Sequence, residues 1–142
     1  MEDSKKKIVS QVIITILTFL VAFFGTRYLM SNFNSADKEL KKIAVEINKS
    51  TPTMVDKDTR LDNASVFKNT LQYNYTLLNV TKNDAGIDLD GAKKFITKNA
   101  QDNLDNRPEM KSYRENNISL KYNYKDKNGK NLFNFTIKAN KK

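Results

Sequence analysis

The chain has 142 residues, with 25 Lys and Arg against 16 Asp and Glu for a formal net charge of +9, and it contains no His, Cys or Trp. That length allows one modest domain with an appendage rather than two independent cores. Without His or Cys, Ser-His-Asp triads, HExxH centres, thiolate metal sites, thiol nucleophiles and disulfides are all excluded.

In chain order, the first feature is a run of 19 uncharged residues from Ile8 to Thr26, resumed after Arg27 by Tyr28, Leu29 and Met30. A helix rises about 1.5 Å per residue and a hydrocarbon core is about 30 Å thick, so the spacing predicts a transmembrane helix over 8–30. Lys5, Lys6 and Lys7 lie before it, and Arg27 and Tyr28 fall where snorkelling and aromatic anchoring are expected. These five are the expected membrane-anchoring residues. The run exceeds the roughly 7–15 residues of a cleaved signal peptide and no small-x-small site follows, so it reads as an uncleaved signal-anchor behind a basic tail, 1–7. Lys38, Lys41, Lys42 and Lys49 follow the run, so the positive-inside count is balanced. The short tail and long remainder favour a single-pass protein of the cell membrane with residues 31–142 outside the cytoplasm.

Asn34 or Ser35 can cap a helix over 35–48, in which Leu40, Ile43, Ala44 and Ile47 recur at helical spacing. That stripe suits packing on a sheet, or a seam for a partner helix. Pro52 ends the helix. A strand is expected over about 59–67, a tight turn at Lys68-Asn69, and a second strand over 69–79, where Leu71, Tyr73, Tyr75 and Leu77 alternate with polar residues. Asp88 should cap a helix over 88–106 with Leu89, Ala92, Phe95, Ile96, Ala100 and Leu104 on one side. Pro108 opens a short helix over 108–115 that Asn116-Asn117 ends. In the closing hairpin, 118–139, Asn128-Gly129 suits a two-residue type I′ turn and would pair Tyr124 with Phe133, Tyr122 with Phe135 and Leu120 with Ile137. The expected class is α+β: two layers, with helices over one face of a roughly four-stranded antiparallel sheet made of two hairpins.

The densest polar cluster is Asp56, Asp58, Arg60 and Asp62. As a calcium loop it fails, because Leu61 stands sixth and Phe67 twelfth. It reads first as an ion-pair and turn network, then as a surface for interaction, and last as a carboxylate-only hydrolytic site. Asp84, Asp88 and Asp90 read as helix-start carboxylates, and Gly86 and Gly91 form no phosphate-binding loop. The aromatics Tyr73, Tyr75, Tyr122, Tyr124, Phe133 and Phe135 could stack single-stranded nucleic acid, but they occupy the face the helices need for a core. No nucleic-acid partner and no cofactor is therefore expected. Residues 31–142 hold 21 basic and 14 acidic residues, spread over every segment, which suits contact with anionic lipid, cell-wall polymers or an acidic partner.

The stretch Pro52–Leu78, with its V-D-x-x-T-R-L-D and Tyr73-x-Tyr75, and the later Tyr122-x-Tyr124-x-Asp126-x-x-Gly129 resemble a pattern in small bacterial proteins of unassigned function that carry a leader or anchor. The resemblance implies an extracytoplasmic α+β domain and brings no catalytic residues. Those relatives carry a Cys pair around the last helix and hairpin, which this chain lacks, so no disulfide carries over. The reading at this level is a non-enzymatic single-span membrane protein that presents an α+β interaction domain outside the cytoplasm. Its partners would be the lipid bilayer and another envelope protein, with the oligomeric state open. An alternative is an accessory subunit of a larger membrane or secretion complex with the span as interface; a remote one is the carboxylate-only hydrolase.

Overall fold

The computed structural model describes residues 36–140. Helix α1 (Ala36–Lys49) leads to the short strand β1 (Thr53–Met54), then β2 (Thr59–Phe67) and β3 (Thr70–Leu77). Helix α2 (Leu89–Asn106), a 3₁₀ turn (Pro108–Met110) and α3 (Lys111–Glu115) follow, and β4 (Ser119–Asp126) and β5 (Asn131–Ile137) close the fold.

The sheet corrects the four-stranded antiparallel expectation. It has five strands in the order β1-β2-β3-β4-β5, and its central pair, β3 with β4, is parallel. The reason is geometric. A parallel pair needs a long crossover, and the single long traverse of α2 brings the chain back beside the start of β3, where the Ser119 N–H donates to the Asn69 carbonyl at 2.9 Å. Two antiparallel hairpins, β2–β3 and β4–β5, are thus joined side by side in the same direction. The extra strand, β1, pairs Thr53 and Met54 with Leu61 and Arg60.

Both long helices pack on the aromatic face, α1 over β2 and α2 over β5. Leu40, Ile43, Ala44 and Ile47 of α1, and Ile96, Ala100 and Leu104 of α2, are buried in one core with the strand aromatics. Two rows of rings cross the sheet. Tyr73, Tyr122 and Phe135 lie 5.4 and 4.9 Å apart by centroid, and Tyr75, Tyr124 and Phe133 lie 5.0 and 4.8 Å apart. These rings are the core and offer no platform to a nucleic-acid base.

The last turn also departs from the two-residue expectation. Gly129 has φ +80 but Asn128 does not take the positive φ that a type I′ turn requires. The Asp126 N–H bonds the Lys130 carbonyl at 2.8 Å instead, which closes a three-residue loop. A bulge between Tyr124 and Lys125 restores the register, so Tyr124 still faces Phe133, Tyr122 faces Phe135 and Leu120 faces Ile137.

The assignment as a single-pass protein of the cell membrane is withdrawn. Among the described residues no helix is long and apolar enough to cross a membrane. The segment 8–30, with Lys5, Lys6, Lys7, Arg27 and Tyr28, lies outside them.

Candidate interaction site

The four clustered charges occupy the β1–β2 loop and the first half of β2, and they divide into two units. In the loop, Asp56 Oδ1 accepts the N–H groups of Asp58 at 2.7 Å and Thr59 at 2.9 Å, the pattern by which a short acidic side chain imitates a backbone turn. The Val55 N–H bonds the Thr59 carbonyl at 3.0 Å and completes that turn. Asp58 ties it to the end of β3: its carboxylate accepts from the Asn79 side-chain amide, and its carbonyl accepts the Leu78 N–H at 2.8 Å. Lys57 Nζ approaches the same carboxylate at 3.8 Å.

Arg60 and Asp62 form the second unit. They flank the buried Leu61 and so project from the opposite face of β2, the face that neither helix covers. Arg60 Nε donates to Asp62 Oδ1 at 2.6 Å, and the Thr76 hydroxyl donates to Asp62 Oδ2 at 2.6 Å. Asp62 is the additional residue at the bulge between Leu61 and Asn63, which lets it reach both partners. Among the described residues no hydrogen bond or ion pair links this unit to Asp56 or Asp58.

The chemistry open to this arrangement is limited. Both Asp62 oxygens and one oxygen each of Asp56 and Asp58 already accept hydrogen bonds within the fold, which ties Asp56 to its own turn, Asp58 to Asn79, and Asp62 to Arg60 and Thr76. Among the described residues there is also no group of His, Cys, Asp or Glu side chains fit to hold a metal. The Arg60 and Asp62 side chains are 40% and 24% accessible.

Sequence reasoning did not find the polar row beside this pair. Across the helix-free face, the Asn74 amide donates to Asn63 Oδ1 at 2.7 Å, and Asn74 Oδ1 accepts from Asn123 at 2.9 Å and Gln72 at 3.1 Å. The signal was present as the repeated tripeptide Tyr-Asn-Tyr, whose copies at 73–75 and 122–124 lie in register with one another. Asp126 was also missed as an organising residue. It is 1% exposed and accepts the N–H groups of Lys82 at 2.9 Å, Asn128 at 2.9 Å and Lys130 at 2.8 Å.

Residues 34–133 match the model of a family described as a domain of unknown function, DUF8479. The chain belongs to that family. No curated protein matches this DUF8479 chain in sequence. Among solved structures it is similar to a candidate secreted protein from Pseudomonas aeruginosa, at 14% identity and TM-score 0.60 over 72% of this chain and 88% of that one. It is also similar to the pilotin EpsS of the Vibrio vulnificus type 2 secretion system, at 8% identity and TM-score 0.56 over 73% and 88%. The type II secretion pilotin AspS from Vibrio cholerae aligns at 11% identity and TM-score 0.52 over 72% and 87%. At these identities the likeness establishes a shared fold.

Proposed function

We propose that this DUF8479 domain is a non-catalytic accessory module of a secretion assembly that holds another protein of the cell envelope. The observation that carries the reading is the fold shared along most of its length with two type II secretion pilotins. The state of the charged cluster supports it, because Asp56 and Asp58 hold a turn and Asp62 holds Arg60 and Thr76. Within the cluster, we assign Arg60 and Asp62 to partner contact and Asp56 and Asp58 to positioning the loop beneath them.

The test is crosslinking of the tagged full-length protein in its native cells, followed by mass spectrometry. Components of a secretion assembly should be enriched, and the yield should fall for Arg60→Glu while the circular dichroism spectrum is kept. A crosslinked set without any envelope or secretion protein would refute the reading.

A further inference from the structure

The two edges of the sheet are treated differently, and the difference can be followed atom by atom. On the β1 side the edge is short: β1 has two residues, and Pro52 before it has no N–H to offer. Beyond it, the Asn48 side chain covers β2, donating to the Ala64 carbonyl at 2.8 Å and accepting the Ala64 N–H at 2.7 Å. That edge is short and partly covered.

The β5 edge is open. The Ser119 N–H donates to Asn69 beside β3, whereas the Asp126 N–H donates to Lys130 beside β5. Backbone groups alternate along a strand, so Leu120, Tyr122 and Tyr124 turn theirs toward Ile137, Phe135 and Phe133. Asn134 and Thr136 therefore point their N–H and C=O groups away from β4, and no described residue bonds them. Two residues further on, the Lys138 carbonyl is taken by Gln101 Nε2 at 2.6 Å, which ends the open stretch. An exposed run of this kind is a template for another strand.

Charge selects what could fill it. Residues 119–142 contain seven Lys and one acidic residue, Asp126, whereas residues 31–118 hold 14 basic and 13 acidic residues. The spread of lysines over every segment hides this imbalance: nearly all the domain's excess charge belongs to the closing hairpin and the short tail after it. Asp126 is spent on its own turn. Lys125, Lys127, Lys130 and Lys138 are exposed, and Lys121, Lys125, Lys127 and Lys138 form no salt bridge among the described residues.

We propose that β5 is a docking edge on which an extended, acidic segment of a partner protein adds as a sixth strand beside Asn134 and Thr136, between the flanking lysines. The inference rests on the accessory-module reading and adds a second contact surface, at the edge of the sheet away from the strand that carries Arg60 and Asp62. Strand addition draws affinity from the backbone groups, and the lysines raise the encounter rate and select an acidic partner. A second copy of this chain would set lysine against lysine. A DNA backbone brings acceptors only and cannot donate to the free carbonyls of the edge.

The probe is a short synthetic peptide alternating Glu and Val, with a version carrying Pro at every second Val and polythymidine as comparisons. Amide hydrogen exchange read by NMR should show Asn134 and Thr136 protected by the Glu-Val peptide alone, with affinity falling as salt rises. Thr136→Pro removes an outward N–H without touching the β4 ladder and should weaken the peptide by about tenfold or more. If that variant unfolds, the exchange data on the unaltered chain decide. Unchanged exchange at both amides, equal binding by folded Thr136→Pro, tighter binding of polythymidine, or a self-associated form that the peptide cannot displace would each overturn the proposal. Should crosslinks to secretion proteins persist in Thr136→Pro at full yield, the edge assignment falls while the accessory-module reading stands; should they be missing from the unaltered chain, that reading falls by itself.

Discussion

A carboxylate that collects three backbone N–H groups behaves unlike one that faces water. Burial alone would push the Asp126 carboxyl up, but the N–H groups of Lys82, Lys130 and Asn128, with the Lys130 charge beside them, hold it below the usual carboxylate range. A lowered folded-state pKa contributes stability that is present above the unfolded value, about 3.9, and is lost as pH falls through the folded one. Asp126→Ala should therefore lower the urea midpoint at neutral pH and flatten the acid limb of a stability–pH curve, measured by urea titration at a series of pH values. Tyr75 presents the opposite case. Its hydroxyl is buried without a hydrogen-bond partner, a desolvation cost on the order of 1–3 kcal/mol. Tyr75→Phe should accordingly leave stability unchanged or raise it by about 1 kcal/mol, read from chemical denaturation. At this scale the sequence was partly legible. Asp88 caps α2 by accepting the Gly91 N–H at 2.8 Å, and Asn117 takes the left-handed φ of 52 that ends α3, both in keeping with their residue types. Part of each role was hidden because Asp126 also binds the distant Lys82 N–H, and Asn74 binds Asn63 and Asn123 across the sheet.

Among the elements, periodicity carried most of the information. The stripe Leu40, Ile43, Ala44 and Ile47 is the buried side of α1, because a 14-residue helix on a sheet must place its apolar residues at i, i+3, i+4 and i+7. Ile47 is 1% exposed, so Ile47→Ala should cost about 2–5 kcal/mol through lost transfer and an unfilled cavity, checked by urea unfolding. Cross-strand register in the last hairpin was equally readable, since a one-residue slip would turn every aromatic outward. The turn of that hairpin was not, although the two-residue turn at Lys68-Asn69 was. Asn128-Gly129 suggested two residues in the loop, but Asp126 offered its side chain to Asn128 and Lys130 and stabilised a wider one. Two-residue β1 was beyond reach as well, being too short to show any alternation.

For the whole molecule, the decisive fact is the parallel junction of two hairpins. Leu71-Gln72-Tyr73-Asn74-Tyr75 and Leu120-Lys121-Tyr122-Asn123-Tyr124 lie side by side in the same direction. Tyr-Asn-Tyr reads alike both ways, so the pattern fixed which residues face inward but not which way the strand runs. That orientation depends on where α2 returns the chain. The junction also concentrates tyrosine. Burial raises Tyr73 and Tyr75 well above the ordinary phenol value and Tyr122 and Tyr124 likewise, with neighbouring tyrosines adding to it, and it pushes Tyr113 up to about 12. A raised folded-state pKa gives stability that is complete below the unfolded value of about 10 and is lost as pH climbs through the folded one. Alkaline titration should show tyrosinate absorbance from these five rings appearing together with loss of circular dichroism, well above pH 10. Separate, stepwise ionisation in a chain that keeps its secondary structure would contradict this packing.

Because its strands are laid side by side in sequence order yet joined at the middle across α2, the sheet has two quickly made halves and one slow seam. A ribosome releasing this chain from its first residue delivers β1, β2 and β3 well before β4, so Tyr73 and Tyr75 wait with one flank bare until Tyr122 and Tyr124 emerge. Truncation before Ser119 would leave that flank permanently uncovered, and the newborn fragment would be sticky.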